Sequence, residues 1–206
     1  MAPTVAPYGS WRSPITTDLI VSETIGLGGL FLDGADRYWL EMRPGEKGRY
    51  VLVRSGPDSE REEVLPSDTN VRTRVHEYGG AAYAVHDGII LYCNFADQKH
   101  YVQHPGESPV ALTPDGRRYA DIVFDAGRGR AICVREDHTH SDTDPDWEAV
   151  TTLVAVDLTS GGAGTVLASG YDFYSSPAIS PDGARIAWLA WNHPDMPWTN
   201  TELWVA

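Results

Sequence analysis

Four tight turns, each followed by an apolar run, constrain the fold of this chain more than any other feature. Their glycines lie 54, 41 and 54 residues apart in the sequence. Glycine adopts a positive φ at little steric cost, so such a turn between two apolar runs predicts a β-hairpin. A hairpin that recurs at this period predicts an array of similar small units. The four turns are Asp33-Gly34, Asp87-Gly88, Arg128-Gly129 and Asp182-Gly183.

Each repeat unit contains further strand-like runs after its turn. The runs directly after the turns are RYWLEM, IILYCNF, RAICVRE and RIAWLAW, and a loop then leads to RYVLVRS, HYVQHP, TTLVAVDL and TELWVA. A last short run, EEVLPS, PVALTP or GTVLASG, follows in the first three units. The gaps between runs are too short for crossover helices, which favours antiparallel sheets. Since one such sheet cannot cover its own faces, the units must stack side by side.

The sequence therefore predicts an all-β fold, a partial β-propeller of about four blades, each a four-stranded antiparallel sheet. We expect an N-terminal extension over residues 1–22 and the propeller over residues 23–206, with blades at about 23–70, 71–116, 117–170 and 171–206. The fourth unit stops within its third run, so we expect an incomplete fourth blade and a truncated propeller. Two open sheet edges would make such a piece prone to association.

Charge, hydropathy and cysteine content narrow the class of protein. A formal net charge of -13 argues against nucleic-acid binding, which needs a basic face. The first twenty residues do not resemble a secretory signal, and the absence of any long apolar run argues against a membrane span. Cys93 and Cys133 each lie inside an apolar run, which predicts two buried thiols rather than a disulfide. Together these features favour a reducing cytoplasm.

Several motifs resemble a known family. The segment RVHEYGG at 74–80 resembles the innermost-strand motif of a propeller blade in bacterial relatives of prolyl oligopeptidase, of the acylaminoacyl-peptidase and dipeptidyl-aminopeptidase type. The segments YDFYSSP and SPDG, at 171–177 and 180–183, are similar to the blade-opening pattern of that family. The likeness extends to YGSWRSPI at 8–15, WNHPDMPW at 191–198 and TELWVA at 201–206, so it covers nearly the whole chain.

The resemblance implies a seven-bladed propeller that caps an α/β-hydrolase domain, the two together cleaving short peptides from one end. In that family the propeller filters substrates by size and contributes side chains to the rim of the active site. The expected partners are thus the hydrolase domain of the same parent chain and a short peptide, with no cofactor. The nucleophile elbow Gly-x-Ser-x-Gly occurs nowhere in this sequence, so no catalytic residue is assigned and the catalytic domain is expected to be absent.

Arg74, His76 and Glu77 are the candidate substrate-binding residues. His76 and Glu77 are adjacent in an expected inner strand, so their side chains would point to opposite faces of the sheet. The resemblance implies that Glu77 could bind the α-amino group of a peptide, as acidic residues do in related aminopeptidases. The alternative is a structural role, with both side chains held by Arg74, Tyr78 or the neighbouring blade.

The segment EDHTHSDTDPD at 136–146 contains two histidines and several carboxylates, which is a combination that could bind a divalent metal. An EF-hand loop that began at Asp142 would need glycine at its sixth position and glutamate at its twelfth. The sequence has Trp147 and Leu153 there, so we interpret the segment as a polar loop and expect no metal.

Two functions from different classes fit these observations. The first is a non-catalytic, substrate-gating and scaffolding propeller within a serine peptidase. The alternative is a free-standing TolB-like propeller module that binds a protein or a ligand, which would be expected to have an export signal and a closed circle of blades. Whether the chain itself is an enzyme stays open, because no convergent catalytic set is visible in it.

Overall fold

The computed structural model describes residues 5–21, 24–58, 60–140 and 148–206. One short helix, α1 (Thr17–Val21), precedes the sheets. The first sheet contains β1 (Gly26–Asp33), β2 (Asp36–Arg43), β3 (Arg49–Ser55) and β4 (Glu62–Glu63). The second contains β5 (Tyr83–His86), β6 (Ile89–Cys93), β7 (His100–Gln103) and β8 (Val110–Ala111). The third contains β9 (Arg117–Asp125), β10 (Arg130–Asp137), β11 (Val150–Asp157) and β12 (Gly161–Ala168). The fourth contains β13 (Phe173–Ile179), β14 (Ile186–Trp191) and β15 (Glu202–Val205).

Each sheet is an antiparallel meander in which strands adjacent in the chain are also adjacent in the sheet. The first strand of each sheet contacts the first strand of the next, so β1, β5, β9 and β13 are the inner strands of four blades. All four predicted turns join the first and second strands of a blade, and the glycine of each has a positive φ. The partial four-bladed propeller is therefore confirmed, with a fourth blade of three strands in the described part of the chain.

The hydrophobic core lies between neighbouring blades. Alternate residues of β10 face opposite neighbours: Ala131 and Cys133 pack toward the second blade, whereas Ile132 and Val134 pack toward the fourth. The strands of the second and third blades are apolar almost throughout because each of these blades has a neighbouring blade on both faces. Burial contributes roughly 1.5–3 kcal/mol for each large apolar side chain that is fully enclosed. Cys133 and Cys93 are both buried and free, as predicted.

Three of the inner strands have a bulge at a residue with a positive φ. The bulges place Gly29 of β1, Asp121 of β9 and Ser176 of β13 where the pairing register shifts. The φ values of Asp121 and Ser176 are 55° and 53°, which is uncommon for residues other than glycine. Bulges bend a strand and turn its backbone groups away from the sheet. Here they allow contacts between neighbouring blades.

The segment 74–80 is not an inner strand, and that prediction is wrong. Residues 75–78 form a turn in which Gly79 donates its backbone N–H to the oxygen of Val75 at 2.8 Å, and the inner strand begins only at Tyr83. Both His76 and Glu77 have left-handed φ values, 56° and 62°. Their side chains therefore do not alternate across a sheet, and the expectation that they point to opposite faces of a sheet is wrong as well.

The helix α1 has five residues. In its first turn the backbone N–H of Ile20 donates a hydrogen bond of 3.0 Å to the backbone oxygen of Thr16. Its neighbouring apolar side chains are largely exposed. Among the described residues, none of the helical segments has the length and apolar character needed to span a bilayer.

Candidate functional site

A pocket of about 500 Å³ opens at the end of the blades opposite to the four tight turns. Four carboxylates line it, and no described residue of its lining is a lysine or an arginine. We call it the acidic pocket. Its carboxylates belong to Glu77, Glu136, Glu148 and Asp172, and its rings include those of His76, His138, Tyr171, Phe173 and His193.

Three blades converge on the acidic pocket. The turn that contains His76 and Glu77 precedes the inner strand of the second blade. Glu136 lies near the end of β10 in the third blade. Asp172 and Phe173 lie at the start of β13 in the fourth blade, where Phe173 pairs with Trp191 at the end of β14. The pocket thus exists because strand ends from separate repeat units meet at one end of the propeller.

His76 lies at the centre of the aromatic wall. Its ring centroid is 5.2 Å from that of Phe173 and 5.6 Å from that of Trp191, both in edge-on geometry. Its backbone N–H donates to Glu136 Oε1 at 2.5 Å, which anchors the turn to the third blade. Burial lowers the pKa of His76, although the nearby carboxylates of Glu136 and Asp121 oppose this shift. The ring is therefore neutral at pH 7.

One ring nitrogen of His76 is an unused polar group. Nε2 is buried and has no hydrogen-bond partner among the described residues. An unpartnered buried polar atom costs free energy, about 1–3 kcal/mol, unless a water molecule or ligand satisfies it. In its neutral form this imidazole nitrogen can accept or donate one hydrogen bond. It is thus suited to a polar group of a bound molecule.

Glu77 is held by two arginines and remains exposed. Arg118 Nη1 contacts Glu77 Oε1, and Arg74 Nη2 lies 3.3 Å from Glu77 Oε2. The hydrogen bond from Arg118 is the main cause that lowers the pKa of Glu77, so its carboxylate is ionised at neutral pH. The side chain is 68% exposed. Glu77 therefore makes the contact with Arg74 that the structural alternative predicts. It also lines the acidic pocket.

The structure brings His76 and Glu77 to the pocket and leaves Arg74 outside its lining. Arg74 acts on the site through Glu77, and its backbone oxygen accepts a bond of 3.1 Å from Arg118. Arg118 was not singled out from the sequence. It lies near the start of β9, one blade away from the segment that holds its partners.

Two further pairs of side chains meet at the pocket. Glu136 Oε2 lies 3.0 Å from His138 Nε2. Asp172 Oδ2 accepts the backbone N–H of His193 at 2.9 Å and lies 3.2 Å from its Nδ1. The second pair could have been found, because a hairpin that joins β13 to β14 brings the residues before the first strand close to those after the second. Glu136 and His138 both belong to the segment 136–146 that was considered for a metal, whereas Asp172 and His193 were not proposed as a binding element.

Only part of the segment 136–146, which was considered as a metal-binding loop, lies among the described residues. Glu136, His138 and His140 lie among the described residues, whereas residues 141–147, which include Asp142, lie outside them. Within the described ranges, no three histidine, cysteine, aspartate or glutamate side chains are grouped so that they could hold a metal ion.

Comparison with solved structures identifies a family for this arrangement. The chain is similar to puromycin hydrolase, with 36% identity over 99% of this chain and a TM-score of 0.84. It is similar to a puromycin-hydrolyzing peptidase of Mycobacterium tuberculosis, with 34% identity over 99% of this chain and the same TM-score of 0.84. A mutant of puromycin hydrolase complexed with PGG matches with 36% identity over 98% of this chain and a TM-score of 0.83. The chain spans 33% of the length of each of these proteins.

A more distant likeness shows the fold alone. TolB from Acinetobacter baumannii is 10% identical over 88% of this chain, which covers 41% of TolB, with a TM-score of 0.56. No protein-family model matches the sequence, and no curated protein matches it either. The resemblance found in the sequence motifs and the match to the puromycin hydrolases agree. The chain belongs to the prolyl oligopeptidase family, and it matches the N-terminal propeller part of that family.

Proposed function

We propose that this chain is the substrate-gating and scaffolding propeller of a serine peptidase that cleaves short peptides. The observation that carries the proposal is the match to puromycin hydrolase over 99% of the chain at 36% identity. In this proposal the chain has no catalytic residue, and the reaction takes place on an α/β-hydrolase domain of the same parent chain. The propeller binds and orients the peptide for that domain.

The acidic pocket is the peptide-binding element of this proposal. Four carboxylates with no lysine or arginine in the described lining create a negative potential that attracts the ammonium group of a free peptide amino terminus. A hydrogen bond between an ammonium and a carboxylate contributes about 1.5–3 kcal/mol. The rings of His76 and Phe173 offer an apolar wall for the adjoining side chain. A volume of about 500 Å³ suits a small ligand, which fits a filter that admits short peptides.

Each of the three predicted residues has a role in this proposal. Glu77 accepts a hydrogen bond from the ammonium group, and Arg74 and Arg118 fix the position of its carboxylate. The two guanidinium groups also weaken the attraction of Glu77 for a cation, so Glu136 and Asp172 supply the remaining negative charge. His76 presents Nε2 to a polar group of the peptide backbone.

A Glu77→Gln variant of the full-length protein tests the proposal. We expect kcat/KM for free-amine peptides to fall about tenfold, which corresponds to the loss of roughly 1.4 kcal/mol, whereas kcat/KM for N-acetylated peptides should not change. Glu46→Gln is the matched control, because Glu46 is also a carboxylate paired with two arginines, Arg43 and Arg49, but lies in the first blade. Unchanged kinetics of the Glu77 variant on free-amine peptides would remove the recognition role.

The same pair of substrates separates the subtypes suggested by the motifs. Preference for a free amine fits a dipeptidyl-aminopeptidase type, whereas preference for the N-acetylated peptide fits an acylaminoacyl-peptidase type.

We further propose a cytoplasmic location, which the two free buried cysteines, Cys93 and Cys133, support. The alternative of a free-standing TolB-like binding module is supported only by a shared fold at 10% identity.

A further inference from the structure

One carboxylate, that of Asp121, connects three blades of the propeller. Its Oδ1 accepts the backbone N–H of Ala81 from the second blade at 2.7 Å. Its Oδ2 accepts the backbone N–H of Ser176 from the fourth blade at 2.8 Å. The backbone N–H of Asp121 itself donates to the oxygen of Ala81 at 2.8 Å. The third blade, which contains Asp121, is thus bonded to both of its neighbours at a single residue.

The two partners of Asp121 continue directly into two segments that line the acidic pocket, one from the second blade and one from the fourth. Ala81 lies four residues after Glu77 in the segment that forms the turn, and Ser176 lies three residues after Phe173 in β13. The rings of His76 and Phe173, whose centroids are 5.2 Å apart, contact each other where these two segments meet. A change in the bond to either partner would therefore change the position of the two segments relative to each other.

We propose that Asp121 is a positioning residue of the acidic pocket, which sets the distance between the turn of the second blade and the inner strand of the fourth. We call the set of hydrogen bonds at Asp121 that links the three blades a joint. The inference rests on the proposed function, because it gives this joint a role in peptide binding. Asp121 is not among the lining residues, so it acts through the residues that are.

Local geometry indicates that this joint is under tight steric constraint. Asp121 and Ser176 both have positive φ values, a conformation that persists only where surrounding contacts enforce it. Gly80 comes so close to Asp121 that an added Cβ would lie 2.6 Å from Oδ1 and 3.1 Å from Ala120 Cβ. Only glycine therefore allows the segment after the turn to approach the carboxylate.

A second carboxylate, that of Asp33, offers a matched control. Its Oδ1 accepts the backbone N–H of Asp87 at 3.1 Å, and its Oδ2 accepts that of Gly88 at 2.7 Å. This joint connects the first and second blades in the same way, through two backbone amides. It lies at the end of the blades opposite to the acidic pocket, because Asp33 and Gly88 belong to the tight turns.

The test compares Asp121→Ala with Asp33→Ala in the full-length protein, assayed on a free-amine peptide. We expect both variants to lower Tm by a similar amount, because each loses a carboxylate that accepts two backbone N–H groups from neighbouring blades. Asp121→Ala should also raise KM about tenfold with little change in kcat, since a displaced lining segment weakens binding, whereas Asp33→Ala should leave KM unchanged. Equal KM values for the two variants would overturn the proposal and leave Asp121 with a structural role only.

Two further measurements keep the inference testable if Asp121→Ala does not fold. Gly80→Ala pushes on the same carboxylate without removing it and should raise KM in the same way; an unchanged KM in this variant would count against the inference. Hydrogen exchange at the amides of Ala81 and Ser176 should become faster in either variant and stay slow in Asp33→Ala. Failure of the proposed function is recognised separately, because Glu77→Gln would then have normal kinetics whatever the exchange rates are.

Discussion

The buried histidine His100 makes the stability of the propeller depend on pH. His100 lies at the start of β7, is 1% exposed, and packs its ring 5.0 Å from that of Tyr119. Its Nε2 is buried without a hydrogen-bond partner among the described residues. Burial lowers the pKa of His100 to about 3, and the backbone of Tyr119 opposes the shift only in part.

The sign of the effect follows from the two states of the chain. In the unfolded chain a histidine has a pKa of about 6.5, so below that pH the unfolded state binds a proton that the folded state does not. The contribution of His100 to stability is therefore complete above pH 6.5 and is lost progressively as the pH falls toward 3. The slope is roughly 1.4 kcal/mol per pH unit, so the free energy of unfolding should fall by about 2 kcal/mol between pH 7 and pH 5.

Urea unfolding of the wild type and of His100→Gln at both pH values measures this contribution. The variant cannot titrate at this position, so its free energy of unfolding should fall by about 2 kcal/mol less than that of the wild type over the same pH range. His104→Gln is the matched control for the substitution itself, because His104 lies in the exposed loop after the same strand. If His100→Gln lost as much stability between pH 7 and pH 5 as the wild type, burial of His100 would not be a cause of the pH dependence.

Two other predictions concern the stability of a glycine variant and the reactivity of the buried thiols. Gly161→Ala should lower the free energy of unfolding by roughly 1–3 kcal/mol, because Gly161 has a φ of 65° and an added Cβ would overlap the backbone oxygen of Leu112; Gly45→Ala, with no neighbour around its Cβ, should change it little. Cys93 and Cys133 should react with a thiol reagent only as fast as the protein opens, since both are buried and burial raises the pKa of both thiols, that of Cys93 to about 12. Rapid modification of the folded protein by Ellman's reagent would contradict this.

The repeat architecture was predictable because it depends on local information. A turn such as Asp87-Gly88 is specified by two adjacent residues, and the apolar runs on either side specify the strands it connects. The segment 74–80 was predicted wrongly because its conformation depends on distant partners. Glu136, sixty residues away, accepts the backbone N–H of His76, and Asp121, forty residues away, accepts that of Ala81. Neither contact has a signal in the sequence of the segment itself.

The residues of the acidic pocket also fall into two groups, those that the sequence identifies and those that only the packing of the blades reveals. Glu77 and His76 were identified through the family resemblance, without knowledge of the pocket that they line. The partners that give them their chemistry, Arg118 and Phe173, come from two other blades, so only the stacking of the blades brings them together. The orphaned Nε2 of His76 is likewise a property of the packed structure, because the residue type alone does not reveal burial without a partner.

The proposed function requires this propeller to contact the peptide that the full-length protein binds. A crystal structure of the full-length protein with a short free-amine peptide bound tests it directly. We expect the peptide amino terminus to lie in the acidic pocket, within hydrogen-bond distance of Glu77 and against the rings of His76 and Phe173. A peptide bound entirely by another domain, with no contact to the acidic pocket, would contradict it.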